Sequence, residues 1–471
     1  MLPYSSIQRE KFIAANATEY GAQAQTLAWA APAQTACAQE RRMHALAEMA
    51  PHIELAAKQT KPHWRALSPG CRICARGEWS CLFINGQCNC RCFYCPTAQN
   101  DVGVPTTNRL AFPTPAEYAE YVERFNFSGV SISGGEPLLT FDRTLRYIAA
   151  VRRRSGSAVH IWMYTNGTLA TAQRLKQLHA AGLDEIRFDI SAAGYDLEKP
   201  RMAADLIPCV TVEIPAIPED GERLTALLPQ LHQVGVRHLN LHQLRLTPYN
   251  FAHLQKRNYT FMHGESVTVL ESELTALSLL QTACQQELAL PINYCSYVYK
   301  RRYQQAAVRR RNAQSMVKPF ESVTESGFIR SLALVGTLAE VDVQAERLRQ
   351  APIDSTLWSL SAKKDRLVFH PSLWPRIDIG AGRLLLSYAE AVLAPNISYR
   401  YTFTELRLKS GKKIYLEKRP LGTDIEMAAQ THRLFEKMAV NGGACSPDAQ
   451  ETLQDEILDY EFIRAGLQEY F

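Results

Sequence analysis

Short apolar segments alternate with amphipathic segments between residues 80 and 299, and this alternation limits the possible folds of the chain more than any other feature. Alternation of this kind is typical of βαβ units whose strands form a parallel sheet. Six strand candidates and a further one at the end lie at 80–86, 129–135, 160–167, 185–191, 209–218, 238–246 and 292–299. Six units of about 30 residues each predict an α/β fold, either a doubly wound sheet or a partial barrel.

The remaining sequence suggests further parts on either side of these units. We expect a helical N-terminal extension at 1–70, the α/β core at 71–300, a basic linker helix at 301–320 and a C-terminal α+β domain at 321–471. The clearest element of the last part is a hairpin that turns at Ser410–Gly411, because period-two alternation occurs on both sides of the turn. Helical patterns at 424–438 and 450–469 complete this domain.

The cysteines are concentrated in one segment. Seven of the twelve lie within residues 71–95, and the other five are scattered. Secreted disulfide proteins are usually small, with cysteines throughout the chain. A dense cysteine segment in a chain of 471 residues instead indicates thiolate ligands for a metal ion or a cluster. The seven are Cys71, Cys74, Cys81, Cys88, Cys90, Cys92 and Cys95.

Three of these cysteines, Cys88, Cys92 and Cys95, have the spacing C-x3-C-x2-C directly after the first strand candidate. Three thiolates in a tight loop can hold three irons of a [4Fe–4S] cluster and leave the fourth iron open. The second strand candidate is followed by Gly-Gly-Glu-Pro at 134–137, and the third ends in Thr-Asn-Gly-Thr at 165–168. In this order, the motifs of residues 80–300 resemble those of the radical S-adenosylmethionine (radical SAM) superfamily, and within it the pyruvate formate-lyase activating enzymes.

The resemblance implies a partial (β/α)6 barrel of the TIM type that binds a [4Fe–4S] cluster and SAM. Cys88, Cys92 and Cys95 would hold the cluster, and its open iron would bind the methionine part of SAM. An electron from the cluster would cleave SAM, and the 5′-deoxyadenosyl radical would abstract a hydrogen atom from the substrate. The residues that the resemblance assigns to SAM are Tyr94 at the adenine, Gly134, Gly135 and Glu136 at the methionine ammonium, and Asn166, Asp189 and Ser191.

The later strand candidates have one apolar and one polar phase with period two. We expect the apolar phase to face the helices outside the barrel, so that the polar phase points inward. Polar side chains in a barrel interior indicate a ligand chamber, because closed barrels normally fill this space with apolar side chains. We therefore predict Arg187, Glu213 and His242 as catalytic residues at the substrate. The alternative is a buried ion network of Arg187, Asp189 and Glu213, with His242 as a core histidine.

Cys71, Cys74 and Cys81 form a second candidate metal site. They could hold a second iron–sulfur cluster or a zinc ion, with Cys90 or Cys295 as the fourth ligand. The alternative is that all three are ordinary thiols.

The net charge of +5 has a local origin. Seven basic residues and no acidic residue lie between 300 and 318, so the rest of the chain has a net charge of 5 − 7 = −2. This segment is compatible with a solvated helix face, with a site for an anionic small molecule or a substrate carboxylate, or with RNA binding. RNA is the least favoured of the three, because no aromatic residues alternate with the basic ones as in a base-stacking surface.

The leading hypothesis is a radical SAM enzyme, an oxidoreductase, transferase or lyase, that acts on an unidentified small molecule or peptide with a reductant such as flavodoxin or ferredoxin. The enzymatic alternative is a glycyl-radical-enzyme activase. The other alternative is a nucleic-acid-binding zinc ribbon built from the C-x2-C pairs at 71–74 and 92–95. We expect a cytoplasmic protein without a membrane span, because the most apolar stretch, Leu384–Leu393, is short and contains Glu390.

Overall fold

The computed structural model describes residues 4–442 and 453–471, and its centre is a sheet with seven parallel strands. Each of these strands pairs with the one before it in the chain, so the order never reverses as it does in a doubly wound sheet. In the described residues, the first and seventh strands do not pair with each other. The predicted partial barrel is therefore confirmed. Its strands are Trp79–Asn85, Gly129–Gly134, His160–Thr165, Glu185–Phe188, Cys209–Pro215, His238–His242 and Ile292–Cys295.

Helices between the strands cover the outside of the barrel. Thr114 and Thr171 cap two of them, since each threonine side chain accepts a hydrogen bond from a backbone N–H of the first turn. Helix residues such as Leu178 share one buried core with Ile186 and Val212 of the strands, so the apolar phase faces the helices as predicted. The helices are Pro115–Arg124, Phe141–Ser155, Ala172–Ala181, Glu198–Ala204, Gly221–Gln233 and Leu270–Gln285.

The N-terminal extension is only partly helical, which corrects the prediction for 1–70. Helices Ser6–Tyr20 and Pro32–Met49 are followed by two short strands, Ile53–Leu55 and Lys61–Trp64. The second strand pairs antiparallel with the seventh barrel strand. All four of its residues are buried, so its sequence has no period-two alternation from which a strand could be predicted.

A short helix, Pro69–Ala75, connects this strand to the barrel, packs against the second and third barrel strands and is hydrogen-bonded to side chains of the fourth. The backbone N–H of Gly70 donates to Oε2 of Glu185 at 3.1 Å, and Nη2 of Arg187 donates to Oγ of Ser68 at 3.1 Å. This helix carries Cys71 and Cys74 into the barrel interior.

Short strands continue the sheet beyond the first barrel strand, and a small hairpin follows the sixth. Their bounds are Thr106–Thr107, Leu110–Ala111, Phe261–Met262 and Thr268–Val269. The one-turn helix Phe251–Leu254 precedes the hairpin.

The C-terminal domain is an antiparallel sheet with helix Leu338–Gln350 beside it. The predicted hairpin is present, with Gly411 at φ +90° in its turn. The second hairpin strand continues to Glu426, so the helical segment predicted at 424–438 begins later, with a short helix at His432–Phe435. The helix predicted at 450–469 is reduced to Asp455–Glu461, and 450–452 lie outside the described residues. The strands are Ser322–Val323, Ile329–Val335, Trp358–Leu360, Arg366–Phe369, Arg383–Ala394, Thr402–Arg407 and Lys413–Glu426.

The basic segment is helical, with a π-helical part at Tyr299–Gln304 and an α-helix at Gln305–Gln314. Nε of Arg309 donates to the carbonyl of Ser326 at 2.9 Å, and Arg311 donates to the carbonyl of Asn126 at 3.0 Å. These arginines therefore join the barrel to the C-terminal domain, which differs from a freely solvated face. Among the residues with described structure, no helix has the length and apolar character to cross a membrane.

Candidate active site

The loop after the first barrel strand places three thiols at the wall of one cavity. Cys88, Cys92 and Cys95 all line this cavity, whose volume is about 340 Å³. The sulfur of Cys88 accepts a hydrogen bond from the backbone N–H of Cys90 at 3.4 Å, and the sulfur of Cys95 accepts one from Nε2 of Gln99 at 3.0 Å. N–H donors directed at sulfur stabilise thiolate ligands.

Gly134 and Gly135 hold the second strand against the start of this loop. A Cβ on Gly134 would lie 2.1 Å from the carbonyl oxygen of Asn85, and one on Gly135 would lie 2.0 Å from that of Gln87. The N–H groups of Gly135 and Glu136 donate to these same two oxygens, each at 2.8 Å. The glycines are therefore needed for a close approach of two backbone segments, which the prediction had attributed to SAM alone.

Glu136 is 1% exposed, and its carboxylate connects three parts of the site. Oε1 accepts hydrogen bonds from the N–H of Leu138 at 2.9 Å and the hydroxyl of Thr165 at 2.8 Å, and Oε2 accepts one from the N–H of Asn166 at 2.8 Å. Burial raises the pKa of Glu136, although these donors oppose the shift. The carboxylate also borders the cavity, where a cation would find an acceptor.

Asn166 connects the third strand to the cysteine loop. Its Nδ2 donates to Oδ1 of Asn89 at 2.8 Å, and the same nitrogen lies 3.8 Å from the sulfur of Cys88. Its Oδ1 accepts hydrogen bonds from the N–H and the hydroxyl of Thr168 at 3.0 and 2.7 Å. Asn166 thus fixes the loop that carries the thiols.

Tyr94, Asp189 and Ser191 form a hydrogen-bonded group on the opposite side of the loop. The Tyr94 hydroxyl donates to Oδ2 of Asp189 at 2.9 Å and lies 2.6 Å from Oγ of Ser191, which donates to Oδ1 of Asp189 at 2.5 Å. Asp189 follows the fourth strand directly, and Ser191 lies in a 3-10 turn rather than in that strand. Tyr94 and Asp189 line the cavity, whereas Ser191 stands behind them.

Glu213, His242 and Lys300 also line the cavity. Nε2 of His242 lies 2.5 Å from Oε1 of Glu213, and the Lys300 ammonium contacts Nδ1 of His242. Burial lowers the pKa of His242, and the charge of Lys300 lowers it further. Burial alone would raise the pKa of Glu213, but Arg187 and His242 outweigh it and hold that pKa well below its ordinary value.

Arg187 does not reach the cavity. It is 3% exposed, and it donates from Nη1 to Oε2 of Glu213 at 2.6 Å and from Nε to Oε1 of Glu185 at 2.8 Å. The geometry therefore corrects the expectation that Arg187 contacts the substrate. Its guanidinium pairs with the carboxylates of Glu185 and Glu213, which resembles the ion-network alternative but has Glu185 in place of Asp189. This pairing positions Glu213.

The cavity brings together most of the predicted residues and some that the sequence did not reveal. Lys300 and Arg245 line it, as do Tyr164, Thr165 and Gln243. Lys300 is the first residue of the basic segment and directly follows the last barrel strand candidate. This position could have indicated that its side chain lies near the end of the barrel. Arg245 was not predicted, because the sixth strand ends at His242 rather than at 246, and Arg245 forms an isolated bridge with Thr268 beyond that end.

Cys81 does not lie with Cys71 and Cys74, with which the sequence grouped it in a second candidate site. Cys71 and Cys74 face the barrel interior, where Asn240 and Gln304 contact their sulfurs. Cys81 lies beside Ser131 and Ser133 of the neighbouring strand, and Cys90 lies 3.9 Å from the carbonyl of Ala192. In the described part of the chain, no three His, Cys, Asp or Glu side chains converge as one metal ion requires. The two C-x2-C pairs of the zinc-ribbon alternative have different surroundings, since Cys71 contacts Asn240 in the barrel interior whereas Cys92 and Cys95 line the cavity.

The donor set at the loop fits a [4Fe–4S] cluster. Burial raises the pKa of the Cys92 thiol to about 12, so ionisation at neutral pH requires the positive charge of a metal. Cys88, Cys92 and Cys95 could supply three thiolates, which leaves one iron for another ligand. The adjoining volume of about 340 Å³ lies in the usual range of small-molecule sites, about 300–1,000 Å³.

The chain is similar in sequence to several known proteins. A family model described as "Radical SAM superfamily" matches residues 82–206. A "Putative glycyl-radical enzyme activating enzyme" of Methanocaldococcus jannaschii is 29% identical over 316 residues, 64% of this chain and 83% of that protein. A "GTP 3',8-cyclase" of Corynebacterium glutamicum is 33% identical over 122 residues, 25% of this chain and 31% of the cyclase. The match therefore spans about a third of the cyclase.

Among solved structures, SuiB of Streptococcus suis bound to S-adenosylmethionine is similar to 46% of this chain over 50% of its own. The two are 13% identical, with a TM-score of 0.34.

Proposed function

We propose that this chain is a radical SAM enzyme that uses a [4Fe–4S] cluster and SAM, cleaves SAM reductively and abstracts a hydrogen atom from an unidentified small molecule or peptide. The observation that supports this proposal is the shared cavity. Cys88, Cys92 and Cys95 line one part of it, and Glu213 and His242 line another. A radical formed beside the thiols would therefore have polar side chains for the substrate within the same cavity.

Cys88, Cys92 and Cys95 would hold the cluster. When bound and reduced, the cluster supplies the electron that splits SAM into methionine and the 5′-deoxyadenosyl radical, which takes the hydrogen atom. Glu136 and Asp189 give the SAM side of the cavity two carboxylates, which suit the ammonium of methionine. Tyr94, fixed by its hydrogen bonds to Asp189 and Ser191, presents a ring to the same space for the adenine.

Lys300 and Arg245 give the other end of the cavity two positive charges. This charge favours a substrate with a carboxylate or phosphate group, and His242 and Glu213 would orient it by hydrogen bonds. These contacts would hold the target hydrogen at the correct distance from the radical. Small displacements of the reacting atoms greatly lower the rate of reaction. We propose that the protein acts in the cytoplasm. Flavodoxin or ferredoxin would be its reductant.

A second candidate function is the activation of a glycyl-radical enzyme. It is favoured by the 29% identity to a protein named for that activity over 83% of that protein's length. In this case the substrate would be a glycine in a protein chain, and an electron paramagnetic resonance signal of a glycyl radical would appear in the partner enzyme.

The test of the proposed function is anaerobic reconstitution with iron and sulfide, followed by reduction in the presence of SAM. The expected result is about four irons at the loop and formation of 5′-deoxyadenosine. Cys88→Ala, Cys92→Ala and Cys95→Ala should each abolish 5′-deoxyadenosine formation, whereas Cys37→Ala, at an exposed free cysteine, should not. Formation of 5′-deoxyadenosine that survives all three loop substitutions would contradict the proposal.

A further inference from the structure

Lys61 is a buried cation in an unusual place. It lies on the second N-terminal strand, is 1% exposed and has its ammonium 4.2 Å from the centre of the Tyr299 ring. The ammonium lies within hydrogen-bonding reach of the Cys295 thiol, and the thiols of Cys71 and Cys74 are also near it. A buried ammonium is costly unless an anion lies beside it.

The three thiols around Lys61 come from different parts of the fold. Cys71 and Cys74 lie on helix Pro69–Ala75, and Cys295 ends the seventh barrel strand. The N-terminal strand that carries Lys61 pairs with this seventh strand, and the helix inserts beside it. The fold thus collects three cysteines and one lysine in the barrel interior, apart from the Cys88–Cys95 loop.

The polar groups directed at these sulfurs are donors. Nδ2 of Asn240 donates to the sulfur of Cys71 at 3.3 Å, and Nδ2 of Asn293 lies 4.0 Å from the same atom. The side-chain amide of Gln304 contacts the sulfur of Cys74. Such donors stabilise thiolate sulfur and are the usual surroundings of metal-bound cysteine.

An independent observation is the hydroxyl of Tyr299. This residue is 0% exposed, and its hydroxyl lies within hydrogen-bonding reach of the Cys74 thiol. The buried hydroxyl is therefore a further donor directed at the sulfurs of this group.

We propose that Cys71, Cys74 and Cys295 bind a second iron–sulfur cluster in the barrel interior, with Lys61 as the compensating positive charge. A single ion is disfavoured, because no three such side chains of the described residues converge as one ion requires. A cluster of several irons spreads its ligands farther apart, and its net negative charge suits a buried ammonium. Cys295 pairs in register with His242, so this cluster lies one strand from the substrate wall.

The experiment separates the two sites by substitution. A variant with Cys88, Cys92 and Cys95 all changed to Ala, reconstituted anaerobically, should retain about four irons and a cluster signal in Mössbauer spectra. A variant with Cys71, Cys74 and Cys295 changed to Ala should lose that iron and keep the iron of the loop. Cys284→Ala, at a buried free cysteine in the hydrophobic core, is the matched control and should keep both.

Two further measurements do not depend on the folding of the triple variants. The unaltered protein should hold about eight irons, and Lys61→Met should keep them while shifting the reduction potential of the second cluster to more negative values, because a nearby positive charge is removed. Only about four irons in the unaltered protein, or zinc in place of iron at Cys71, Cys74 and Cys295, would overturn the inference. Neither result would affect the proposed reaction at the Cys88–Cys95 loop, which fails only if that loop binds no cluster.

Discussion

Nε2 of His242 lies 2.5 Å from Oε1 of Glu213, while the Lys300 ammonium contacts the other ring nitrogen. A neutral imidazole can meet both partners only if Nε2 carries the proton and Nδ1 accepts from Lys300. Burial and Lys300 both lower the pKa of His242, so the neutral ring is the form expected at neutral pH. The histidine is thereby fixed between a carboxylate and an ammonium at the cavity wall.

Replacing Lys300 by Met should raise the pKa of His242, because the charge of Lys300 is the largest contribution after burial that lowers it. The acidic limb of the pH profile for product formation should then move to higher pH. Lys363→Met, at an exposed site in the C-terminal domain, is the control and should leave the profile unchanged. An identical profile in both variants would show that His242 does not titrate with the reaction.

Glu213→Gln should separate SAM cleavage from turnover. The amide keeps the shape of the side chain but loses the charge that orients His242, so product formation should fall by roughly 100-fold. Formation of 5′-deoxyadenosine should continue, since Glu213 is not among the residues that we assign to the cluster or to SAM. The measurement compares the two products in one assay, and normal product formation would assign Glu213 a structural role only.

Glu136→Gln should lower both the affinity for SAM and the stability of the protein. Three donors point at the carboxylate, and an amide nitrogen would face at least one of them. Leaving a buried donor unpaired costs about 1–3 kcal/mol, which urea unfolding of the apoprotein would detect. Glu10→Gln, at an exposed helix position, is the control, and the iron content should stay the same in both.

Gly135→Ala should prevent the cysteine loop from binding iron. The added Cβ would lie 2.0 Å from the carbonyl oxygen of Gln87, so the backbone of the loop must move. Gly221→Ala is the matched control, because its Cβ would have only an ordinary contact of 3.5 Å with Thr275. Equal iron content and equal SAM cleavage in the two variants would show that the loop tolerates this shift.

Arg187→Met should destabilise the apoprotein at pH 7 by about 3–5 kcal/mol, because it leaves Glu185 and Glu213 buried without their shared cation. Burial opposes ionisation of Glu185, but Arg187 and His160 lower its pKa to about 2. The stability from this carboxylate is present above its ordinary value of 4.5 and is lost as the pH falls towards 2.

The difference in the free energy of unfolding between the unaltered protein and Arg187→Met should therefore be smaller at pH 3 than at pH 7. Urea unfolding at both pH values provides the measurement, with Arg72→Met as a control outside the buried network. A difference that does not change with pH would contradict the role of Arg187 as the cation of this network.

The cluster loop and the glycine pair could be predicted from sequence because their chemistry depends on local spacing. Cys88, Cys92 and Cys95 lie within eight consecutive residues, and Gly134 and Gly135 follow a strand that the apolar pattern reveals. The inward orientation of Glu213 and His242 could also be predicted, because period-two alternation is a local property of a strand.

Contacts between distant segments were decided by tertiary structure alone. The strand Lys61–Trp64 has no alternation because both of its faces are buried, and Arg187 falls behind Glu213 only because helix Pro69–Ala75 occupies the barrel interior. Cys74 likewise lies with Cys295 rather than with Cys81, although Cys81 is nearer in sequence. Sequence spacing determines which side chains a loop or strand presents, whereas the packing of strands and helices determines which of them meet.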